Sequence, residues 1–131
     1  MENTKGILES EKNVAVVGIS DKEERDSFKV AKYLIEHGFN VIPVNPVLKQ
    51  WLGIKAYANL KDAAAEHDID IVDIFRKSEA VPEIVDEAIE IKPKTVWMQL
   101  GVVSPEAAEK ARKHGIKVIM DRCIMVEHKK L

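Results

Sequence analysis

The sequence predicts a three-layer α/β fold, a doubly wound parallel sheet with helices on both faces, and three observations predict it. Short apolar runs alternate with amphipathic segments along the chain, the pattern of successive strand–helix units. The run Ile69–Phe75 is apolar almost without interruption, as expected of a parallel strand buried on both faces. Helix start and stop signals fall between the runs; Ser104-Pro105 pairs a cap with proline at the first helical position, and Gly115 follows a basic last turn.

The elements follow in order. Residues 1–12 are polar, with one helical turn expected at Thr4–Ser10. Val14–Val17 reads as the first strand and runs into the turn Gly18-Ile19-Ser20. A polar loop leads to a helix over Ser27–His37, with Val30, Ala31, Tyr33 and Leu34 on its buried side and Gly38 just past its end. Asn40–Val44 is the second strand. Trp51-Leu52-Gly53 reads as a turn with an aromatic plug, Lys55–Tyr57 as a short edge strand, and Leu60–His67 as an alanine-rich helix. After Ile69–Phe75, Ser78 can cap a helix whose Pro82 falls in the first turn, where amide donors are unpaired anyway. Val81, Val85, Ala88 and Ile89 form its apolar stripe. Thr95–Leu100 and Lys117–Met120 are the remaining strands, and Asp121–Leu131 is expected to be loop. Right-handed crossovers then give a Rossmann-type strand order. No linker, repeat or low-complexity run intervenes, so residues 1–131 are expected to form one domain with its core at 12–128.

Size and composition bound the function. A chain of 131 residues lies in the single-domain range of ~100–200 and can bury roughly 68% of its unfolded surface without a staple. Apolar residues make up 46% and charged residues 32%, and the net charge of −2 supplies no field for nucleic acid. The single cysteine, Cys123, excludes an internal disulfide and points to a reducing compartment. No apolar run approaches the ~20 residues of a membrane helix, and residues 1–13 lack a signal-peptide core, so a cytoplasmic protein is expected. No residues show metal-ligand spacing.

In doubly wound sheets, ligands bind outside the carboxyl ends of the strands. Four segments converge there: Gly18-Ile19-Ser20, Pro43-Val44-Asn45-Pro46, Phe75-Arg76-Lys77 and Gln99-Leu100-Gly101, with Asp121-Arg122-Cys123 on the same edge. A strand, a glycine turn and a helix start make an anion site, because amides of the first helical turn lack partners. A dinucleotide fingerprint is absent: only one glycine of G-x-G-x-x-G is present, and the second strand ends without an acid. Gly18 would let the backbone approach a phosphate, and Ser20 and Ser27 could donate to its oxygens, Ser27 doubling as the helix cap. Asp21, Glu23, Glu24 and Asp26 outnumber Lys22 and Arg25 in this loop, so an anion requires Arg25 and Lys29 to turn inward. Pro43 and Pro46 fix an apolar rim suited to one face of an adenine, beside the Asn45 amide, or mark an ordinary turn. Phe75 could cover a base, Arg76 offers a forked cation, and Gln99 could hold a ligand amide. His37, His67 and His114 fall at helix ends, a capping position. No histidine pairs with a carboxylate as a catalytic dyad would, and no catalytic residue is expected.

Six motifs in order carry a resemblance: Val-Val-Gly-Ile-Ser (16–20), Glu-Arg-Asp-Ser-Phe-Lys-Val-Ala-Lys-Tyr-Leu (24–34), Val-Ile-Pro-Val-Asn-Pro (41–46), Ile-Val-Asp-Ile-Phe-Arg (71–76), Trp-Met-Gln-Leu-Gly-Val-Val (97–103) and Met-Asp-Arg-Cys (120–123). Over residues 12–128 the chain resembles the small stand-alone CoA-binding proteins, whose fold is that of the CoA-binding domain of the succinyl-CoA synthetase α-subunit. The resemblance implies coenzyme A or acyl-CoA at the carboxyl edge. Gly18, Ile19, Ser20 and Ser27 would hold the pyrophosphate, with Phe28 in the same motif. Arg25, Lys29 and Arg76 would meet the phosphates, Pro43, Val44, Asn45 and Phe75 would line the adenosine pocket, and Gln99 and Gly101 would face the pantetheine arm. Ile19 and Ile124 depart from the family's usual residues without removing a polar contact. The synthetase's phosphorylated histidine belongs to a second domain, so a binding module without catalysis is expected. The competing readings are an NAD(P)-binding oxidoreductase-like or redox-sensing domain, and a subunit completing an acyl-CoA synthetase-type complex in trans; a protein partner or homo-oligomer fits either.

Overall fold

The computed structural model describes residues 3–131, which run α1 (Thr4–Ser10), β1 (Asn13–Val17), α2 (Asp26–Glu36), β2 (Asn40–Val44), β3 (Gln50–Trp51), β4 (Ile54–Lys55), α3 (Leu60–Glu66), β5 (Ile71–Ile74), α4 (Val81–Ile91), β6 (Thr95–Met98), α5 (Pro105–Lys113), β7 (Lys117–Ile119) and α6 (Ile124–Lys129). Five strands form one parallel sheet in the order β2-β1-β5-β6-β7. The chain leaves β1 outward to β2, then returns to β5 on the other side. Between β1 and β5 the winding reverses, and a crevice opens at their carboxyl ends.

Alternation along the strands builds the two cores. Val14 and Val16 of β1 pack with Ile7 and Leu8 of α1, with Val30, Ala31 and Leu34 of α2, and with Ile124 of α6. Ala15 and Val17 point the other way, towards Leu60 and Ala63 of α3, Val85 and Ala88 of α4, and Ala107, Ala108 and Ala111 of α5. The α/β sheet with helices on both faces is therefore as the sequence predicts.

Four local expectations change. The tail 121–131 is not all loop: Ile124–Lys129 is helical, held by the fully buried Ile124. Lys55–Tyr57 is not an edge strand. Ile54–Lys55 pairs antiparallel with Gln50–Trp51 in a small hairpin, and Tyr57 adds a single bridge to Val44. The α2 helix is capped at Arg25 and not at Ser27, and Arg25 contributes no side-chain cap bond. Ser78 opens a 3₁₀ turn, Ser78–Ala80, ahead of α4; its Oγ accepts from the Val103 amide.

Two buried tryptophans fix loops at the carboxyl edge. Trp51 Nε1 donates to Ser20 O, and Trp97 Nε1 to Arg122 O, each at 2.8 Å. Each indole buries apolar area and spends its one donor on a loop carbonyl.

Candidate functional site

The carboxyl ends of the strands open into a cavity of about 780 Å³, in the usual range for small-molecule sites. Its lining combines two chemistries: the cations Lys22, Arg25, Lys29, Arg76 and Lys77, with Asp26 as the acidic residue, and the apolar Val30, Phe75, Leu100, Val102, Met125 and Val126. Gly18, Ser20, Ser27, Gln99 and Cys123 complete it.

The loop after β1 is held from within. The Ser20 amide donates to Ser27 Oγ at 2.9 Å, and Asn45 Nδ2 donates to Ile19 O at 2.8 Å. These bonds present the amides of Asp26, Ser27 and Phe28, which precede the first intrahelical bond, Lys29 N–H to Arg25 O. Unpaired first-turn amides and the positive helix end favour an anion there. The acidic excess of the loop does not reach the cavity: Asp21, Glu23 and Glu24 are exposed and lie off its lining, whereas Lys22, Arg25 and Lys29 border it.

Gly18 borders the cavity, and it also has a steric cause within the fold. Its φ is +86°, and a Cβ there would stand 2.4 Å from Phe75 O and 2.8 Å from Arg76 Cδ. Glycine is required by the close crossing of the β1 and β5 loops, and its bare face leaves room for the Arg76 stem. Among the other predicted residues, Ser20, Arg25, Ser27, Lys29, Phe75, Arg76 and Gln99 border the cavity. Ile19, Phe28, Pro43, Val44, Asn45 and Gly101 do not. Ile19 and Val44 are core, and Phe28 packs edge-on against Trp51 at 5.2 Å between ring centroids. Pro43 is buried within β2. Asn45 Nδ2 donates to Ile19 O, and its Oδ1 accepts from the Val47 and Leu48 amides, so the loop holds this side chain and it lies off the cavity lining. The Gly101 amide donates to Asp121 Oδ1.

Lys22, Lys77 and Leu100, which the sequence places at this edge without a role, border the cavity, and so do Val102, Met125 and Val126, to which it assigns no place there. Lysines in polar loops carry no sign of which way they turn, and Met125 and Val126 belong to the helix read as a tail. Cys123 is half-buried on the cavity wall.

One buried polar pair lies beneath the lining. Asp73 of β5 is fully buried, and its Oδ1 accepts from Gln99 Nε2 at 2.6 Å. Its Oδ2 has no partner. Burial pushes the Asp73 carboxyl up to about 8, which the Gln99 hydrogen bond only partly opposes. The histidines stand elsewhere. His37 Nδ1 and His114 Nδ1 meet carbonyls one turn back, at helix ends as the sequence suggests, and His128 Nδ1 and Tyr33 Oη share a hydrogen bond of 2.6 Å. Among the described residues no group of acidic, histidine and cysteine side chains could hold a metal ion, and no helix is long and apolar enough to cross a membrane.

Comparison with known proteins places this geometry. The family model described as a CoA binding domain matches residues 12–129. The chain is 42% identical over 124 residues to Uncharacterized protein YneT of Bacillus subtilis (strain 168), covering 95% of this chain and 90% of that protein. A hypothetical protein from Pyrococcus horikoshii OT3, of solved structure, is 40% identical with a TM-score of 0.94, over 98% of this chain and 89% of the other. Acetate–CoA ligase [ADP-forming] II of Archaeoglobus fulgidus is 29% identical over 119 residues; the match covers 82% of this chain and 17% of the ligase.

Proposed function

This chain belongs to the CoA-binding domain family, and on that footing we propose that the cavity binds coenzyme A or an acyl-CoA without transforming it. The observation that supports the reading is a cavity that combines five cationic side chains and a helix N-terminus with an apolar set, Val30, Phe75, Leu100, Val102, Met125 and Val126. Such a site suits a ligand with several phosphates at one end and a longer, less polar arm at the other. Arg25, Lys29 and Arg76, with Lys22 and Lys77, are the candidates for the phosphates; guanidinium forks suit phosphate oxygens in particular. Phe75, Leu100, Val102 and Met125 would run beside the arm. Placement in the cytoplasm, where coenzyme A is consumed, fits the single unpaired thiol.

An NAD(P) reading fares worse on the same residues. The β2 end offers no carboxylate for ribose hydroxyls, and the Asn45 amide is committed to the loop. A second reading keeps the coenzyme and adds a catalytic partner. Leu100, 72% exposed at the cavity mouth, favours it, as does the ligase in which the matching segment is a small part of a larger chain.

Calorimetric titration with CoA, acetyl-CoA, NAD, NADP and ADP tests the reading. CoA should bind and weaken steeply with salt. Arg76→Ala should lose roughly 1.5–3 kcal/mol, the worth of a hydrogen bond to a charged group. Comparable binding of NAD, or an Arg76→Ala protein with unchanged CoA affinity, would count against it.

A further inference from the structure

The Asp73–Gln99 pair does work that neither the fold nor the phosphate site requires. Asp73 stands between Val16 of β1 and Trp97 of β6 in register, and Gln99 follows Trp97 by two residues on the same face of the sheet. An apolar side chain would pack at position 73 as Val16 does at its own. The carboxyl instead leaves Oδ2 buried and unpartnered, which costs stability. What the carboxyl does supply is an acceptor for one end of a carboxamide. A glutamine side chain has a donor end and an acceptor end, and a free one presents either. With Nε2 held by Asp73 Oδ1 at 2.6 Å, the orientation is chosen. Gln99 Oε1 then receives no protein donor, and it is not among the buried unpartnered atoms. Gln99 lines the same cavity as Phe75, Leu100 and Val102, and it follows β6, which lies two strands over from β1 and its Gly18–Ser20 loop.

We propose that Asp73 is a positioning residue: it fixes the Gln99 carboxamide so that Oε1 is offered to an N–H of a secondary amide in the ligand's arm. The inference rests on the coenzyme reading and adds to it the group that tells an amide-bearing arm from a bare nucleotide. A site built around one hydrogen bond rejects a ligand lacking the donor, because its own polar atom is then left unpaired. Asp73 does not touch the ligand. None of the cavity's cationic side chains bonds to it, and its neighbours in register are uncharged.

The test compares CoA with adenosine 3′,5′-bisphosphate, which keeps the nucleotide and lacks the arm. Both ligands are titrated into the wild type, Gln99→Met, Asp73→Leu and Asp73→Asn, with thermal unfolding as a check that each protein is folded. Gln99→Met and Asp73→Leu should weaken CoA roughly 3- to 10-fold, the range of one neutral hydrogen bond, and leave the bisphosphate unchanged. Asp73→Asn should keep wild-type affinity for CoA, because its Oδ1 still accepts from Gln99. Equal losses for both ligands, no loss for CoA, or an asparagine variant as weak as the leucine one would overturn the proposal. A wild type that binds both ligands equally would overturn it while leaving the coenzyme site standing. A wild type that binds neither would remove the coenzyme reading and this inference together.

Discussion

At the amino ends of the strands, Glu11 is buried and fully engaged: Oε1 accepts from Thr95 Oγ1 at 2.7 Å, and Oε2 pairs with the Lys117 ammonium. Asp70 beside it accepts from the amides of Lys12 and Asn13 and pairs with Lys94. At the carboxyl ends, Asp73 is buried with one oxygen unpartnered, and five cations stand around a cavity. One end pairs its charges with one another; at the other, five cations and one carboxyl oxygen have no such partner among the described residues. The difference teaches where a sheet of this kind spends its stability. Satisfied carboxylates hold the fold together, and an unsatisfied one marks the end that meets a ligand.

The largest effect should come from removing the open carboxyl across a pH series. The folded Asp73, pushed up to about 8 from an ordinary 3.8, keeps its proton where the unfolded chain has lost it. Its contribution is fully present below about pH 4 and falls away as pH rises to about 8. The slope is at most about 1.4 kcal/mol per pH unit. Asp73→Asn lacks this titration, so its stability relative to wild type should climb steadily from pH 5 to pH 7.5 in denaturant melts. Parallel profiles for the two proteins would show that Asp73 titrates normally and that the contrast between the sheet's ends is false. At the closed end, Glu11→Ala strands the Thr95 hydroxyl and the Lys117 charge. It should cost roughly 1–3 kcal/mol, chiefly for the buried Thr95 hydroxyl left unpaired, since the Lys117 side chain is 43% exposed and water takes over its charge, with CoA affinity unchanged in the folded fraction.

Gly18→Ala sharpens the comparison next. A left-handed φ costs an alanine roughly 1–2 kcal/mol, and the contact with Phe75 O adds overpacking of about 1–3 kcal/mol. From sequence, Gly18 reads as the place where the backbone lets a phosphate approach, so a side chain there would act on the ligand first. The structure reverses the order, and thermal melts should show destabilisation before any binding is measured.

That reversal shows how far the sequence is legible. Strand cores such as Val14–Val17 and Ile71–Ile74 are plain because burial on both faces leaves unbroken apolar runs. The convergence of Gly18, Ser27, Arg76 and Gln99 follows from topology, and they do border one cavity. What sequence does not hold is partnership at a distance. Asn45 reads as a free amide until Ile19 O, 26 residues away, is seen to take it. The same holds for Asp73, which looks like an ordinary polar residue in a strand, and for Glu11 within a polar leader. Helix Ile124–Lys129 is too short to be stable alone and is made by its packing, so its cavity-facing Met125 and Val126 were hidden with it.

The smallest effect contrasts one cation from each end. Lys94 is 64% exposed and pairs with Asp70 at 3.4 Å, so Lys94→Ala should lose roughly 0.2–1 kcal/mol, less as salt screens the pair. Lys29 has no ion-pair partner among the described residues and lines the cavity together with four other cations. Lys29→Ala should therefore leave the melting temperature unchanged or slightly raised at low salt, by relief of like-charge repulsion, and the gain should vanish in high salt. The two variants thus move in opposite directions in the same buffer and converge as sodium chloride is added. If Lys29→Ala is destabilised like Lys94→Ala, the lysine has a structural partner and the carboxyl edge is closed in the same way as the other. If it is not, its charge is held for a guest, and the salt that erases the stability difference should also weaken coenzyme binding to the wild type.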